Sequence, residues 1–204
     1  MKKSEIPQHI VDTAMNLAVE KGWRDLSLAD ISDVAKIPLS HLHDLFPSKH
    51  AIVRYISNSV DRQVVDDEDS DRLEQPVKDR LFDLLMNRFD VLQPYKEGLL
   101  IIVHDSSRDP LSGIAYLCNL RRSMALMLEA AGLSATGFRG MMRIKVLSVL
   151  YLNVFRTWLR DESEDLTKTM SCLDKGLERI DHWARRCSNS SCHKGGHKKA
   201  EQAV

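Results

Sequence analysis

Residues 27–52 read SLADISDVAKIPLSHLHDLFPSKHAI, and their pattern decides the fold. Ser27 is a favoured N-cap, and Asp30 places a carboxylate in the first turn, where free backbone N–H groups favour a negative charge. Apolar residues then recur at helical spacing, stop at Ile37-Pro38, restart in a new phase and stop again at Pro47-Ser48. No piece is long enough to bury its apolar face alone. The stretch therefore predicts a helix-turn-helix unit followed by the start of another helix.

One ordered set of residues in this stretch carries a family resemblance. The members of the set are Ile31, Ala35, Ile37, Leu42, Phe46, Ser48, Lys49 and Ile52. Their order resembles the N-terminal signature of TetR-family transcriptional regulators. The family has Gly, Ser, Tyr and His or Tyr where this chain has Lys36, Pro38, His43 and Leu45, and the family Gly marks a turn that favours positive φ. The apolar frame implies the fold, and the departures all lie on the side that would face DNA.

The composition of the chain is that of a helical globular protein. The 204 residues are 43% hydrophobic and 28% charged, with 9 Gly and 6 Pro and no alternating runs of β-branched residues. This length suits one larger domain or two small ones with a sizeable core. The first ten residues, MKKSEIPQHI, lack the apolar stretch of a signal peptide, so we expect a cytoplasmic protein.

Sequence motifs for catalysis, cofactors and metals are missing. The chain has no phosphate-binding glycine loop and no catalytic signature, so we expect neither an enzyme nor a bound cofactor. The tail contains Cys187, Cys192, His193 and His197. These residues do not predict a zinc site, because two of them are adjacent and no folded frame surrounds the set.

Helical patterns divide the chain into two domains. We predict a helix-turn-helix domain at 1–62, an acidic linker at 63–75, a larger helical domain at 76–186 and a disordered tail at 187–204. The linker has five acidic residues within 66–71, and these repel one another in a compact structure. The patterns add up to about nine helices, four small and five larger. The predicted fold is therefore all-α and TetR-like.

The candidate DNA-contacting residues lie in and around the third helix. They are Lys36, Ser40, His41, His43 and Lys49. Residues 1–60 carry seven Lys and Arg against seven Asp and Glu, so the domain is neutral, whereas a DNA-binding face is usually basic. Lys49 lies in the first turn of the fourth helix, where free N–H groups favour anions, and is the strongest phosphate-contact candidate. An ordinary solvated lysine is the alternative.

The larger domain is rich in Met and aromatic residues at helical spacing. Such residues indicate either a plain core or a cavity for a small apolar effector of the kind that TetR-like domains bind. A buried apolar ligand also needs a few polar groups to orient it. The candidate pocket residues are Met86, Phe89, His104, Arg121, Met124, Met127, Tyr151 and Phe155.

Two apolar stripes near the end of the chain suggest a dimer interface. The last predicted helix begins at 161–163 and carries a narrow seam with 4-3-4-3-4 spacing. In the TetR family the last two helices pair with those of a second subunit, so the resemblance implies a homodimer. The candidate interface residues are Leu147, Tyr151, Trp158, Leu166, Met170, Leu173, Leu177 and Ile180. The alternative is that both stripes pack within their own domain.

A second resemblance lies in the same region. The stretches 154–161, 165–170 and 173–174 are similar to the C-terminal part of TetR-like lipid-binding accessory proteins of ubiquinone (coenzyme Q) biosynthesis. This resemblance implies an alternative function, in which the helix-turn-helix does not bind DNA and the protein binds isoprenoid lipid at a membrane surface. The first hypothesis is a ligand-responsive TetR-family transcriptional regulator that binds operator DNA as a homodimer.

Overall fold

The computed structural model describes residues 5–66, 74–106 and 109–192. These residues form nine α-helices and one 3₁₀ turn at Gln93–Tyr95, and they contain no strand. The helices are α1 (Ile6–Lys21), α2 (Leu28–Ala35), α3 (Leu39–Leu45), α4 (Lys49–Asp66), α5 (Val77–Leu92), α6 (Lys96–Ser106), α7 (Pro110–Ala130), α8 (Gly137–Leu159) and α9 (Thr167–Cys192). The prediction of an all-α fold with about nine helices is confirmed.

The ends of α1 and α2 follow from local sequence. α1 has Pro7 in its first turn and ends at Gly22, whose φ of 87° suits a residue without a Cβ. Ser27 and Asp30 form a capping box at the start of α2, in which each side chain accepts from the backbone N–H of the other residue. α2 ends at Lys36, which has a left-handed φ of 57°. A non-glycine residue adopts this conformation at a cost of about 1–2 kcal/mol.

The first four helices share one apolar core. Ile10, Ile31, Leu42 and Ile52 contribute one fully buried side chain from each of these helices. Trp23, in the connection between α1 and α2, is buried beside them. Because helices of seven or eight residues are not stable alone, this core fixes the position of α3 relative to α2.

α4 belongs to both halves of the chain. It continues past the predicted boundary at residue 62 to Asp66, and it packs against α1, α5 and α7. Its buried stripe of Ile52, Ile56, Val60 and Val64 explains this length, because the last of these residues is as deeply buried as the first. The start of the linker was therefore predicted too early. The remainder of the acidic block, 67–73, lies outside the described residues.

Helices α5 to α9 surround an aromatic core. The ring of Phe89 stacks on that of Tyr151 at a centroid distance of 5.1 Å and lies 5.6 Å from the ring of Trp158. Phe155 extends the group, with its centroid 5.4 Å from that of Trp158. Offset and tilted ring pairs of this kind add about 0.5–1.5 kcal/mol beyond the area that they bury. No helix in the described residues is both long enough and apolar enough to cross a bilayer.

The connection between α8 and α9 is organised by Asp161. Its buried carboxylate accepts hydrogen bonds from the backbone N–H and hydroxyl groups of Ser163 and of Thr169. These hydrogen bonds outweigh the opposing effect of burial and hold the pKa of the Asp161 carboxyl below its usual value. Asp161 was predicted to lie at the start of the last helix, but it instead stabilises the loop that precedes this helix.

α9 starts and ends later than predicted. It begins at Thr167, directly after Leu166, which has a left-handed φ of 50°. It continues to Cys192, so residues 187–192 are helical and not part of a tail. Once a helix is nucleated, Ser and Asn lower its stability by only a few tenths of a kcal/mol each, roughly, and no Pro or Gly interrupts this end. Residues 193–204 lie outside the described part of the chain.

Candidate nucleic-acid interface

α3 presents a polar outward face. Ser40, His43 and Asp44 on this helix are exposed, and His41 is half-buried. Lys36 is exposed in the turn that precedes the helix. Hydroxyl and imidazole groups can bond to phosphate oxygens or base edges, and a carboxylate can accept from cytosine N4. Four of the five residues predicted to contact DNA are therefore accessible to a ligand.

Two hydrogen bonds hold the turn between α2 and α3. The buried hydroxyl of Ser32 donates to the carbonyl oxygen of Ile37 at 2.7 Å. The Nε2 atom of His9 on α1 lies 3.2 Å from the carbonyl oxygen of Ala35, at the end of α2. Orphan carbonyl groups at a helix end need such partners, so the first bond stabilises the turn and the second ties the end of α2 to α1.

The ammonium group of Lys49, the fifth predicted contact, forms hydrogen bonds within the protein. Its Nζ atom donates to the carbonyl oxygens of Trp23 at 2.5 Å and Arg24 at 3.1 Å, and lies 5.3 Å from the centroid of the Trp23 ring. Partial burial lowers the pKa of Lys49, although nearby carboxylates, led by Asp25, oppose this shift. One of three N–H groups remains for another partner. Lys49 ties α4 to the α1–α2 connection, and its contact with phosphate stays a prediction.

The same connection is held from the larger domain by Asp105. Its carboxylate, near the end of α6, accepts from the backbone N–H of Arg24 at 3.0 Å. This hydrogen bond, with a smaller effect of His104, lowers the pKa of the Asp105 carboxyl. α6 also packs closely on α1, where a Cβ at Gly98 would lie 3.2 Å from the Met15 carbonyl oxygen. A movement of α6 would therefore displace the N-terminal helices.

The residues predicted to line a pocket separate into core and surface. Six of them belong to the packed core or lie against it: Met86, Phe89, Met124, Met127, Tyr151 and Phe155. His104 and Arg121, predicted to orient a ligand, are instead on the surface, and the His104 side chain is 70% exposed. These two residues lie on outward faces of α6 and α7, which helical spacing alone did not reveal.

A buried polar cluster joins four helices and was not predicted. Arg88 on α5 forms an ion pair with Asp61 on α4. The guanidinium also donates from Nε to the hydroxyl of Tyr151 on α8 and from a terminal nitrogen to that of Ser57 on α4, both at 3.0 Å. Ser123 on α7 completes the cluster by donating to the second oxygen of Asp61 at 2.5 Å. Removal of either charged partner would leave a buried charge.

The sequence contains one signal for this cluster. Leu81, Leu84, Leu85, Phe89 and Leu92 form the buried stripe of α5, and Arg88 occupies a stripe position between them. A charged residue on a buried stripe requires a partner of opposite charge. Which of the many acidic residues supplies it depends on the packing of α4 against α5.

Most of the predicted dimer residues are buried within their own subunit. Leu147, Tyr151, Trp158, Leu166, Leu173 and Leu177 are at most 5% exposed, so they have no surface to offer a second subunit. Met170 is exposed and Ile180 is half-buried. The seam of α9 packs against α8 and α5 of the same chain. The interface prediction is wrong for the six buried residues, because a heptad-like seam has the same spacing whichever helix it faces.

The fold and the exposed face of α3 define a helix-turn-helix protein. A family model described as bacterial regulatory proteins, tetR family, matches residues 10–56, which include α2 and α3. A candidate mycofactocin biosynthesis transcriptional regulator, MftR, from Mycobacterium tuberculosis strain H37Rv is 24% identical over 187 residues, covering 88% of this chain and 94% of that protein.

Solved structures share this fold. The TetR transcriptional regulator from Nitrosomonas europaea has a TM-score of 0.70 at 23% identity, covering 85% of this chain and 96% of that one. A TetR transcriptional regulator from Rhodococcus sp. RHA1 has a TM-score of 0.62 at 17% identity, covering 88% and 97%. Residues 10–56 thus match the TetR family, as the first resemblance implied, and the whole described chain shares the fold of solved TetR regulators. The resemblance to ubiquinone accessory proteins receives no support from these comparisons.

Proposed function

We propose that this regulator binds operator DNA as a homodimer, through two copies of α3, and that a small molecule controls this binding. The observation that carries the proposal is the exposed polar face of α3, held in place by the buried Leu42 and by the Ser32–Ile37 hydrogen bond. In helix-turn-helix dimers the second helix of the motif lies in the major groove, with the two copies about 34–36 Å apart. Such a regulator acts in the cytoplasm, where the DNA is.

The proposed contacts fall into two groups. Lys36, together with the free N–H of Lys49, binds phosphate oxygens, which positions the protein without reading sequence. Ser40, His41 and His43 bond to base edges or phosphates from α3. Because only two cations per subunit are involved, we expect the logarithm of the binding constant to fall with the logarithm of salt concentration with a slope of about −2 per subunit.

The dimer interface that we propose is the outward face of α8 with the exposed part of α9. Phe138, Met142, Val149 and Leu152 lie on α8 at spacings of four, seven and three residues, and all are exposed. Trp183 on α9 is a further exposed aromatic residue. Apolar side chains that share one helix face and remain exposed in a single subunit are typical of an interface. The last two helices thus keep the dimer role implied by the family, but through other residues.

Control by a small molecule is supported by the position of α4. This helix contributes Ile52 to the core that holds α3, and Asp61 to the polar cluster of the larger domain. A ligand that binds one position of α4 better than another would change the separation of the two α3 helices in the dimer. Binding of the effector would then be linked to release of DNA.

Selection of duplexes from a random DNA library, with purified full-length protein at about 0.1 M salt, tests this function. We expect enrichment of a two-fold symmetric sequence whose half-sites are about one helical turn apart or a multiple of it. A parallel selection with a variant in which Ser40 and His43 are both replaced by Ala should give weaker or altered enrichment. If the wild-type protein enriches no sequence, the DNA-binding proposal fails.

A further inference from the structure

A cleft of about 370 Å³ lies between the two domains. α1 contributes Gln8, α4 contributes Tyr55, Ser59 and Gln63, and the end of α5 with the following turn contributes Asp90 and Tyr95. A volume above about 300 Å³ is in the range of small-molecule sites. The cleft is separate from the aromatic core of the larger domain, because none of the rings of that core lines it.

Asp90 is the charged residue of this cleft. The other lining residues, which include Val11, Ile56 and Val60, are uncharged. Asp90 is an exposed residue, and within the described residues its carboxylate has no hydrogen bond and no ion pair. The protein atoms around it still remove part of its hydration, which raises the pKa of this group. A carboxylate that loses part of its hydration without gaining a protein partner is stabilised by a cation in the same space.

The polar and aromatic groups around Asp90 suit an organic cation more than a metal ion. Tyr55 and Tyr95 are aromatic lining residues, and aromatic rings attract ammonium groups, while Gln63 and Ser59 provide neutral oxygen acceptors. A metal ion would need several carboxylate or imidazole ligands, and no such group of residues exists in the described part of the chain. Val11, Ile56 and Val60 offer an apolar surface for the body of such a ligand.

The cleft is connected to the DNA-binding helices by direct contacts. The ring of Tyr55 meets that of Phe46, which ends α3, edge-on at a centroid distance of 5.4 Å. Gln8 on α1 donates from Nε2 to the hydroxyl of Tyr95 at 2.6 Å, so this bond closes one side of the cleft between the two domains. A ligand in the cleft would therefore touch side chains that contact α1 and the end of α3.

We propose that this cleft binds a small organic cation with an apolar body, such as an aryl-alkyl amine, and that this cation is the effector. The ammonium group pairs with Asp90 and lies against the tyrosine rings, and the apolar body contacts the valine and isoleucine side chains. The effector role rests on the proposed function above, whereas the binding itself does not depend on DNA.

Isothermal titration calorimetry with full-length protein tests the binding. The probe is 4-phenylbutylamine, and 4-phenylbutan-1-ol has the same carbon skeleton without the charge. We expect the amine to bind at least tenfold more tightly than the alcohol, and Asp90→Asn to weaken the amine about tenfold while leaving the alcohol unchanged. The matched control is Asp83→Asn, on the same helix but outside the cleft, which should bind the amine like wild type. Ser59→Phe, which fills the cleft, should abolish binding of both.

Each failure has a distinct meaning. Equal binding of amine and alcohol, or an unchanged affinity in Asp90→Asn, would overturn the cation site whether or not the protein binds DNA. If the amine binds through Asp90, a saturating amount should weaken binding of the selected duplex at least tenfold in wild type but not in Asp90→Asn. Unchanged DNA affinity would overturn the effector role. If the protein binds no duplex, the proposed function fails. The calorimetric result then still shows whether the cleft binds the organic cation.

Discussion

Arg88 on α5 and Asp61 on α4 form an ion pair whose side chains are only 4% and 7% exposed. Arg88 also bonds to Tyr151 and Ser57, and Asp61 to Ser123, so the pair joins the helix that leads to the DNA-binding domain with the core of the larger domain. Buried pairs of this kind add little net stability, and in some proteins they specify one arrangement of the helices that carry them. We predict that this pair fixes the register of α4 against α5.

A double-mutant cycle on this pair measures that linkage. Asp61→Leu or Arg88→Met alone should lower the free energy of unfolding by about 3–5 kcal/mol, because each leaves a buried charge without its partner. The double variant should lose less than the sum of the single losses by about 1–3 kcal/mol. Urea unfolding followed by circular dichroism gives these values. Additive losses within about 0.5 kcal/mol would show that the two side chains do not act as a pair.

The hydrogen bonds of Lys49 predict a role in stability. Lys49→Ala removes two donors to the carbonyl oxygens of Trp23 and Arg24, and we expect a loss of about 1–2 kcal/mol because the site is only partly buried. Arg54→Ala is the matched control, since Arg54 is an exposed cation on the same helix and should change stability by less than about 0.5 kcal/mol. Thermal and urea unfolding of both variants would reveal the difference. A Lys49→Ala protein as stable as Arg54→Ala would contradict the assignment.

The proposed dimer face is tested by one charge on α8. Val149 is 68% exposed in the subunit, so Val149→Glu should not harm folding, but it should place two carboxylates in the apolar interface of a dimer. We expect the dimer dissociation constant to rise at least a hundredfold, as measured by analytical ultracentrifugation. Ile114→Glu on α7 is the control, because Ile114 is 60% exposed and belongs to a helix outside the proposed interface. If the two variants change the dimer dissociation constant equally, α8 does not form the interface.

The loop before α9 gives a pH-dependent prediction. The pKa of Asp161 is lowered in the folded protein, so its contribution is complete above the unfolded pKa of about 3.9 and is lost as the pH falls through the folded value. Asp161→Asn should therefore be less stable than wild type at pH 7, and the difference should shrink below about pH 4. Asp165 is an exposed acidic residue in the same loop, so Asp165→Asn should have the same free energy of unfolding as wild type at both pH values. A difference between Asp161→Asn and wild type that is independent of pH would exclude a role of the carboxylate charge.

Local sequence signals predicted the helices well. Ser27 with Asp30 marks the start of α2, Gly22 the end of α1, and Asp109 with Pro110 the start of α7, because capping depends on residues within one turn. The narrow seam of α9 likewise identified its inward face, on which Leu173 and Leu177 are buried.

Contacts between distant residues were not predictable in the same way. Lys49 was expected to face phosphate, but the carbonyl groups that it binds lie 25 and 26 residues earlier in the chain. The seam from Leu166 to Leu177 was expected to face a second subunit, but it faces α8 and α5 of its own chain. In both cases the periodicity predicts which face of the helix is buried but not which element it packs against. The packing partner depends on the whole domain.

The neutral N-terminal domain is proposed to bind DNA through α3 and the adjacent Lys36. Fluorescence anisotropy of the selected duplex, measured at several salt concentrations, tests it most directly when wild type is compared with Lys36→Gly. Glycine removes a positive charge from the turn and relieves the left-handed φ of 57°, so the variant should be about 1 kcal/mol more stable and yet bind DNA more weakly. Its salt slope should be smaller than that of wild type by about 1 per subunit. Unchanged affinity and slope in this more stable variant would contradict the claim.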